Sequence, residues 1–213
     1  MMAAPAGPLA THAAEAEALA AVGRLFGARE WCLATGGNFS LRLGGERCLI
    51  TRSGTDKSRL TAGDLMVCGQ DGVPQEPGAR PSAEIALHTC LYALDEQIAA
   101  VLHTHSVTAT VVSRAAAGDI VFQGYEMQKA ITGYASHEDK LVLPVLDNSQ
   151  DMRILAAEVR ERFALGHLRA SGFLVRGHGL YAWGADLASA QRHVEGLEFL
   201  LACFRQERLG SGS

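Results

Sequence analysis

Three histidines carry the clearest chemical signal in the sequence. His103 and His105 flank a single threonine at the end of an apolar run, and His178 lies in a turn between two glycines. Because side chains alternate across a strand, both imidazoles of the His-Thr-His segment would project from one face, close enough to bind one metal ion. Bare backbone beside His178 would let another group approach closely. Three neutral nitrogens leave an open coordination position, which is typical of a catalytic zinc site.

An ordinary structural role is the alternative for any single histidine, because a His-x-His pair often arises by chance and a buried imidazole can be satisfied by its own hydrogen bonds. The combination with the Gly-His-Gly turn favours the metal interpretation. The remaining histidines have no such setting, so we predict that they lie on the surface or on helix faces: His12, His88, His137, His167 and His193.

Small polar residues at turns form a second candidate set. Asn38 follows two glycines, and Ser53 precedes Gly54. Ser82 lies at a predicted helix start. Backbone amides at turns and at a helix N-terminus suit a phosphate, and serine hydroxyls add donors, while Lys57 could supply the opposing charge. Plain turn chemistry explains the same residues when no further signal is considered.

Two glutamates are candidates for proton transfer. Glu84 follows the predicted start of a helix, and Glu126 comes shortly after the apolar residues 120–122. A carboxylate in a partly apolar setting can have a raised pKa and serve as a general acid or base. Glu84 equally fits a solvated residue in the first turn of a helix, so its role stays open at this point.

Helices and hairpins alternate along the whole chain and would position these residues. Helices are predicted at about residues 11–30, 82–94, a segment after Ser106, about 151–163 and 187–204. Strands are predicted at 39–43, 48–51, 65–68, 98–105, 141–146 (interrupted by Pro144), 172–176 and 180–183. Hairpins outnumber strand–helix–strand units, so we predict an α/β chain with a largely antiparallel sheet between helices.

Composition and charge exclude several classes of partner. The 213 residues are 48% hydrophobic and 20% charged, which predicts one globular domain over residues 1–213, with frayed tails at about 1–8 and 210–213. A formal net charge of −4 without any basic run predicts no nucleic-acid and no membrane partner. No secretory signal and no paired cysteine motif stands out, so we expect a cytoplasmic protein with reduced thiols.

Taken together, these motifs resemble the class II aldolase/adducin family, and the resemblance covers nearly the whole chain. It rests on the strings at 36–40, 53–54, 81–84, 103–105 and 177–180. The resemblance implies a single three-layer domain with a central, mainly antiparallel sheet flanked by helices, usually assembled as a homotetramer with active sites at subunit interfaces.

The resemblance also implies roles for the candidate residues. It implies one zinc ion per subunit, bound by His103, His105 and His178. It implies a small phosphosugar substrate whose phosphate is held by Asn38, Ser53, Gly54 and Ser82. Sugar-phosphate aldolases of the family often have a second serine where this chain has Ala83, and Lys57 could replace that missing donor.

Three longer segments, at residues 124–130, 143–151 and 172–183, resemble the dehydratases of this family that act in methionine salvage. That resemblance implies zinc-dependent dehydration of 5-methylthioribulose 1-phosphate to 2,3-diketo-5-methylthiopentyl 1-phosphate, with Glu126 as the acid that assists loss of the C4 hydroxyl. In the family's aldolases the glutamate at the position of Glu84 is the acid/base group, so the two carboxylates compete, and the base for the C3 proton stays open. The alternatives are aldol cleavage of a ketose 1-phosphate and a non-enzymatic, adducin-like interaction module.

Overall fold

A computed structural model describes residues 7–210, which form five helices and nine strands in mixed order. The helices are α1 (Ala13–Ala28), α2 (Ile85–Leu94), α3 (Val107–Ala115), α4 (Met152–Ala164) and α5 (Leu187–Gly210). The strands are β1 (Asn38–Leu43), β2 (Arg47–Thr51), β3 (Leu65–Gly69), β4 (Ala100–Thr104), β5 (Ile120–Phe122), β6 (Leu141–Leu143), β7 (Val145–Leu146), β8 (Gly172–Val175) and β9 (Gly179–Gly184). The predicted tails fall largely at residues 1–6 and 211–213, outside the described residues. Gly7–His12 forms a 3-10 segment ahead of α1.

Seven strands form one sheet in the order β3-β2-β1-β4-β9-β8-β7, and β5 and β6 pair separately. Neighbouring strands of the large sheet are antiparallel except for the β7–β8 pair, which is parallel. The prediction of a mainly antiparallel sheet is confirmed. The single interrupted strand predicted at 141–146 is wrong, because the chain changes sheets at Pro144, which has no N–H to donate to a continuing ladder.

Helices cover both faces of the large sheet, which gives the expected three layers. On one face α1, α3 and α5 pack over a core that contains Leu19, Val112 and Leu197. On the other face α2 and α4 pack over Leu91 and Val159. Each such side chain contributes about 1.5–3 kcal/mol by its removal from water, so the two cores hold the sheet rigidly between the helix layers. Within the described residues, no helix is both long enough and apolar enough to cross a membrane.

Alternate side chains of the central strand β4 enter opposite layers. Leu102 lies in the core beneath α5, whereas Val101 lies in the core beneath α2 and α4. His103 continues the second series, where its ring stacks on Tyr181. Thr104 continues the first and contacts α5. The predicted opposite orientation of Thr104 and the two flanking histidines therefore follows from strand alternation.

The start of α2 differs from the prediction. The helix begins at Ile85, three residues later than expected, and Glu84 takes the N-cap position without a side-chain cap. The Ser82 hydroxyl instead accepts a hydrogen bond from the Glu84 N–H at 3.3 Å, an ordinary local turn contact. Ser82 and Glu84 thus lie on a loop rather than inside a helix. By contrast, the helix predicted after Ser106 is present as α3, and Ser106 caps it by accepting the Ala109 N–H at 2.9 Å.

Candidate metal centre and substrate cleft

Three imidazoles and one carboxylate converge beyond the end of β4. Donor atoms of Glu84, His103, His105 and His178 all lie within 4.8 Å of one another. The Nε2 atom of His103 is 2.7 Å from that of His105 and 3.4 Å from that of His178. The His105 and His178 Nε2 atoms are 3.1 Å apart. Glu84 closes the group with one carboxylate oxygen 3.2 Å from His103 Nε2 and the other 3.1 Å from His178 Nε2.

The β4–β9 pairing sets this geometry. Opposite residues in the two strands include His103 with Tyr181 and Thr104 with Leu180, so β9 begins directly beside the His-Thr-His segment. A Cβ atom on Gly179 would lie only 1.9 Å from the Thr104 carbonyl oxygen and 3.2 Å from His103 Cε1. The close approach predicted from the glycines around His178 is therefore present, because only a residue without a side chain fits here.

The donor set fits a divalent metal ion. The Leu180 carbonyl oxygen can only accept, so His103 donates to it through Nδ1–H at 2.9 Å and keeps the lone pair of Nε2 free for the cluster. Burial lowers the pKa of His103, and burial together with the neighbouring His178 lowers that of His105 to about 4, so these imidazoles are neutral near pH 7. Zinc bonds of about 2.0–2.1 Å in tetrahedral geometry place donors roughly 3.3 Å apart, close to the spacing observed.

Glu84 is tied to the cluster by two further donors. The Tyr181 hydroxyl donates to Glu84 Oε2 at 2.6 Å, and Asn38 Nδ2 donates to the same oxygen at 2.8 Å. Burial by itself raises the pKa of this carboxyl, but the adjacent imidazole of His103 and the hydrogen bonds from His178, Tyr181 and Asn38 outweigh burial and hold the pKa below its usual range. Glu84 is therefore a carboxylate at the metal centre and not the solvated helix-start residue of the alternative interpretation.

Tyr181 was not among the predicted site residues, and two histidines predicted on the surface or on helix faces are buried. The Tyr181 ring stacks on His103 with centroids 3.9 Å apart. Tyr181 lies opposite His103 in the β4–β9 pair, so the alternation of side chains along β9 could have indicated that it faces the cluster. His88 and His193 do lie on helices, but both are buried rather than at the surface. His88 contacts the Asn38 amide at 2.5 Å through Nε2, because α2 packs its inner face on β1.

The opposite side of the His-Thr-His segment is anchored to α5. The buried Glu198 carboxylate accepts the Thr104 hydroxyl at 2.8 Å and the Ser106 hydroxyl at 2.6 Å. Burial raises the pKa of Glu198 to about 7, and these two hydrogen bonds offset part of that increase. Glu198 thus holds both Thr104 and Ser106, the residues on either side of His105.

A cleft of about 320 Å³ adjoins the metal centre, with Glu84 and His105 in its wall. The structure brings all the predicted substrate-binding residues to this cleft: Asn38, Ser53, Gly54, Lys57 and Ser82. Backbone pairing between the 51–53 and 80–82 segments holds the two serines together, with Ser53 N–H donating to the Arg80 carbonyl at 3.0 Å. A polar cleft of this size suits a phosphate group.

Two cationic side chains border the cleft. Lys57 is buried and donates to the carbonyls of Thr35 at 3.1 Å and Thr55 at 2.7 Å, and burial lowers its pKa. An ammonium has three N–H donors, so one remains for an anion. Arg52, which precedes Ser53 and was not among the predicted residues, also lines the cleft.

Glu126 is not brought to the metal centre within one chain. It begins a 3-10 segment, Glu126–Ala130, that packs against α5, on the sheet face opposite the layer that holds His103. Its side chain is 69% exposed and pairs with Lys129 at 2.5 Å and with His137 at 3.1 Å.

The family model for the class II aldolase and adducin N-terminal domain matches residues 17–204. The chain belongs to the class II aldolase and adducin family. Among solved structures of this fold, YgbL from Escherichia coli superposes with a TM-score of 0.78 at 22% identity, covering 91% of this chain and 89% of that one. L-fuculose-1-phosphate aldolase from Thermus thermophilus has a TM-score of 0.73 at 27% identity, covering 94% and 97%.

A curated relative shows which enzymes of the class II aldolase family this chain resembles in sequence. The methylthioribulose-1-phosphate dehydratase of Serratia proteamaculans (strain 568) is 50% identical over 200 residues, covering 93% of this chain and 98% of the relative. This 50% identity over nearly the whole length of both chains far exceeds the 27% identity to the L-fuculose-1-phosphate aldolase from Thermus thermophilus. The resemblance to the family's dehydratases is confirmed.

Proposed function

We propose that this chain is a hydro-lyase that dehydrates 5-methylthioribulose 1-phosphate to 2,3-diketo-5-methylthiopentyl 1-phosphate in methionine salvage. The observation that carries the proposal is the 50% identity to a methylthioribulose-1-phosphate dehydratase over almost the whole length of both chains. The cluster of metal-binding donors beside a polar cleft supports it, since a ketose phosphate needs both features.

His103, His105 and His178 would hold the metal, and zinc is the ion we propose. Three imidazoles with a nearby carboxylate are a donor set that zinc prefers. When bound, the ion supplies Lewis acidity that polarises a carbonyl and acidifies the adjacent C–H. A non-enzymatic interaction module would have no need for these converging donors.

The cleft residues would bind the substrate phosphate. Ser53 and Ser82 offer hydroxyl donors, Gly54 offers backbone without a side chain, and Lys57 offers its remaining N–H and its charge. Asn38 has an amide N–H beyond the one it gives to Glu84. A phosphate held in this cleft directs the ketose carbons towards Glu84 and His105, which form the wall nearest the metal centre.

Proton transfer would be divided between two carboxylates. Glu84 removes the C3 proton, and the electron pair of the broken C–H bond expels the C4 hydroxyl. Glu126 donates a proton to that hydroxyl, which leaves as water, and the resulting enol becomes the diketone. In the isolated chain the hydrogen bond from Lys129 lowers the pKa of Glu126, whereas burial against a neighbouring copy would raise it and favour the acid form.

The position of Glu126 on the α5 side of the sheet supports action in trans. We therefore propose a homo-oligomer, as the tetramer of the family implies, in which Glu126 of one subunit serves the metal centre of the next. A repeated head-to-tail contact whose rotation closes forms a ring, and in a ring every site is complete.

Product analysis by mass spectrometry tests the reaction, and Glu126→Gln tests the acid. The wild-type enzyme should give a five-carbon diketone, and Glu126→Gln should slow turnover by about 10²-fold or more with normal zinc content by elemental analysis. Dihydroxyacetone phosphate as the main product would identify an aldolase instead. A fully active Glu126→Gln enzyme would remove Glu126 from the mechanism.

Subunit complementation tests the interface. Glu126→Gln keeps the metal ligands, and His178→Ala keeps the acid, so neither homo-oligomer should be active. Co-expressed at equal levels, they should recover about a quarter of wild-type activity, since random pairing joins an intact metal centre to an intact Glu126 at one interface in four. No recovery in oligomers shown to be mixed would mean that Glu126 does not act across the interface.

A further inference from the structure

A buried chain of hydrogen bonds connects Tyr92, near the C-terminal end of α2, to the carboxylate of Glu84. The Tyr92 hydroxyl is 2.7 Å from the Ser40 hydroxyl, which is 2.7 Å from His88 Nδ1. The other ring nitrogen, His88 Nε2, is 2.5 Å from Asn38 Oδ1, and Asn38 Nδ2 is 2.8 Å from Glu84 Oε2. The four residues behind Glu84 are at most 5% exposed, so water does not compete for these contacts.

Donor and acceptor chemistry fixes the direction of the whole chain. A carboxylate only accepts, so Asn38 must turn its Nδ2 amide towards Glu84 and its Oδ1 towards His88. His88 Nε2 must then donate, and because a neutral imidazole carries one N–H, Nδ1 accepts from the Ser40 hydroxyl. Ser40 in turn receives the Tyr92 hydroxyl. Every donor points towards the metal centre.

Glu84 excludes the reverse orientation of Asn38. A flipped amide would place Oδ1 2.8 Å from Glu84 Oε2, so two acceptors would face each other with no proton between them. In the orientation that remains, the buried Oδ1 accepts the N–H of His88 Nε2, so loss of that donor would leave Oδ1 unpaired at the cost of its desolvation. His88 thus holds the Asn38 amide from the side opposite Glu84.

We propose that His88 is a positioning residue, which acts through Asn38 to hold the Glu84 carboxylate at the metal centre. The inference rests on the proposed function only in giving Glu84 a role there. His88 itself is neither one of the four clustered donors nor one of the residues that line the cleft: it contacts Asn38 from behind, and its ring lies edge-on to Tyr181 with centroids 5.9 Å apart.

A matched pair of variants separates the hydrogen bond from the volume of the ring. His88→Gln keeps an N–H donor at about the reach of Nε2, whereas His88→Met keeps comparable volume without a donor. His193→Met is the control, since His193 is also buried on a helix but bonds to Trp183 and Thr132 instead of Asn38. Its loss would affect folding without reaching Glu84.

The measurements are cobalt(II) and zinc affinity by chelator competition, the visible spectrum of the cobalt-loaded protein, and thermal unfolding in chelator. His88→Met removes the N–H donor to Asn38, which in turn donates to the Glu84 carboxylate. We therefore expect about 10-fold to 100-fold weaker metal binding and an altered cobalt spectrum in this variant. His88→Gln should remain within a few-fold of the wild-type protein. His193→Met should lose thermal stability but retain metal affinity and spectrum.

Two results would overturn the proposal: wild-type metal affinity and spectrum in folded His88→Met, or equal losses in His88→Gln and His88→Met. Should His88→Met fail to fold, Ser40→Ala removes the donor to Nδ1 with a smaller change, and the proposal then requires weaker metal binding in that variant. These measurements use no substrate. Failure of the dehydration assay with the metal effects intact would therefore count against the proposed function alone.

Discussion

Gly179 leaves no room for a side chain, so Gly179→Ala perturbs the packing that sets the metal centre. The new Cβ would lie 1.9 Å from the Thr104 carbonyl oxygen and 3.0 Å from its carbonyl carbon, whereas ordinary contacts begin near 3.4 Å. Both neighbours are backbone atoms of β4, which cannot rotate away as a side chain would. The β9 strand must therefore move by more than about 1 Å from β4, at the position where His178 enters the cluster.

The cost follows from the contacts that this movement breaks. Forcing extra volume into a packed site costs about 1–3 kcal/mol, and each ladder hydrogen bond lost adds about 0.5–1.5 kcal/mol. A total near 3 kcal/mol lowers Tm by about 6–12 °C in a chain of this size. Metal–ligand distances tolerate about 0.2 Å, so the same displacement should weaken metal binding by about tenfold or more.

Thermal unfolding in chelator measures the packing cost, and chelator competition measures the loss of metal affinity. Gly118→Ala is the matched control, because nothing lies within 4 Å of its added Cβ, and its effect should be below about 0.5 kcal/mol. A Gly179→Ala protein with wild-type Tm and wild-type metal affinity would show that the strands do not need this close approach.

Two further substitutions test groups on either side of β4. Tyr181→Phe removes the hydroxyl that donates to Glu84 at 2.6 Å but keeps the ring that stacks on His103. Metal affinity should therefore fall about tenfold. Unchanged affinity in chelator competition would contradict this. Burial raises the pKa of Glu198 to about 7 from about 4.5 in the unfolded chain, so its proton favours the folded state at low pH. Stability from this group is lost as the pH rises from about 4.5 through 7, by roughly 3 kcal/mol, and urea unfolding should show that Glu198→Gln abolishes this decline. A wild-type and a Glu198→Gln protein with parallel pH profiles would refute the assignment.

Some features of the candidate site could be predicted from the local sequence pattern alone. Alternation along β4 predicts that His103 and His105 share a face, and the glycines around His178 predict a close approach. Those two rules depend on neighbours in sequence and hold irrespective of the rest of the chain. The fold class, likewise, follows from the dominance of hairpins.

Other features depend on contacts between distant segments, which periodicity does not encode. Glu84 lies at the metal centre only because the loop before α2 packs beside β1 and β9, 19 residues ahead of His103 in the chain. The burial of His88 follows from the same packing. The exposure of Glu126 depends on which face of the sheet its segment joins, and the roles of Glu126 and the cleft residues stay predictions.

The change of sheets at Pro144 has a consequence for how chemistry diversifies on this scaffold. Between α3 and β7 the chain leaves the large sheet, builds β5, β6 and the segment that bears Glu126, and then returns. This excursion contributes no strand to the ladder that aligns the histidines. Its exposed positions, such as Val121 and Met127, can therefore change without altering the β4–β9 pairing, whereas Phe122 and Leu143 are fixed in the core. One lineage can retain its metal-binding frame and acquire a different reaction outcome by changing the exposed residues of this one segment.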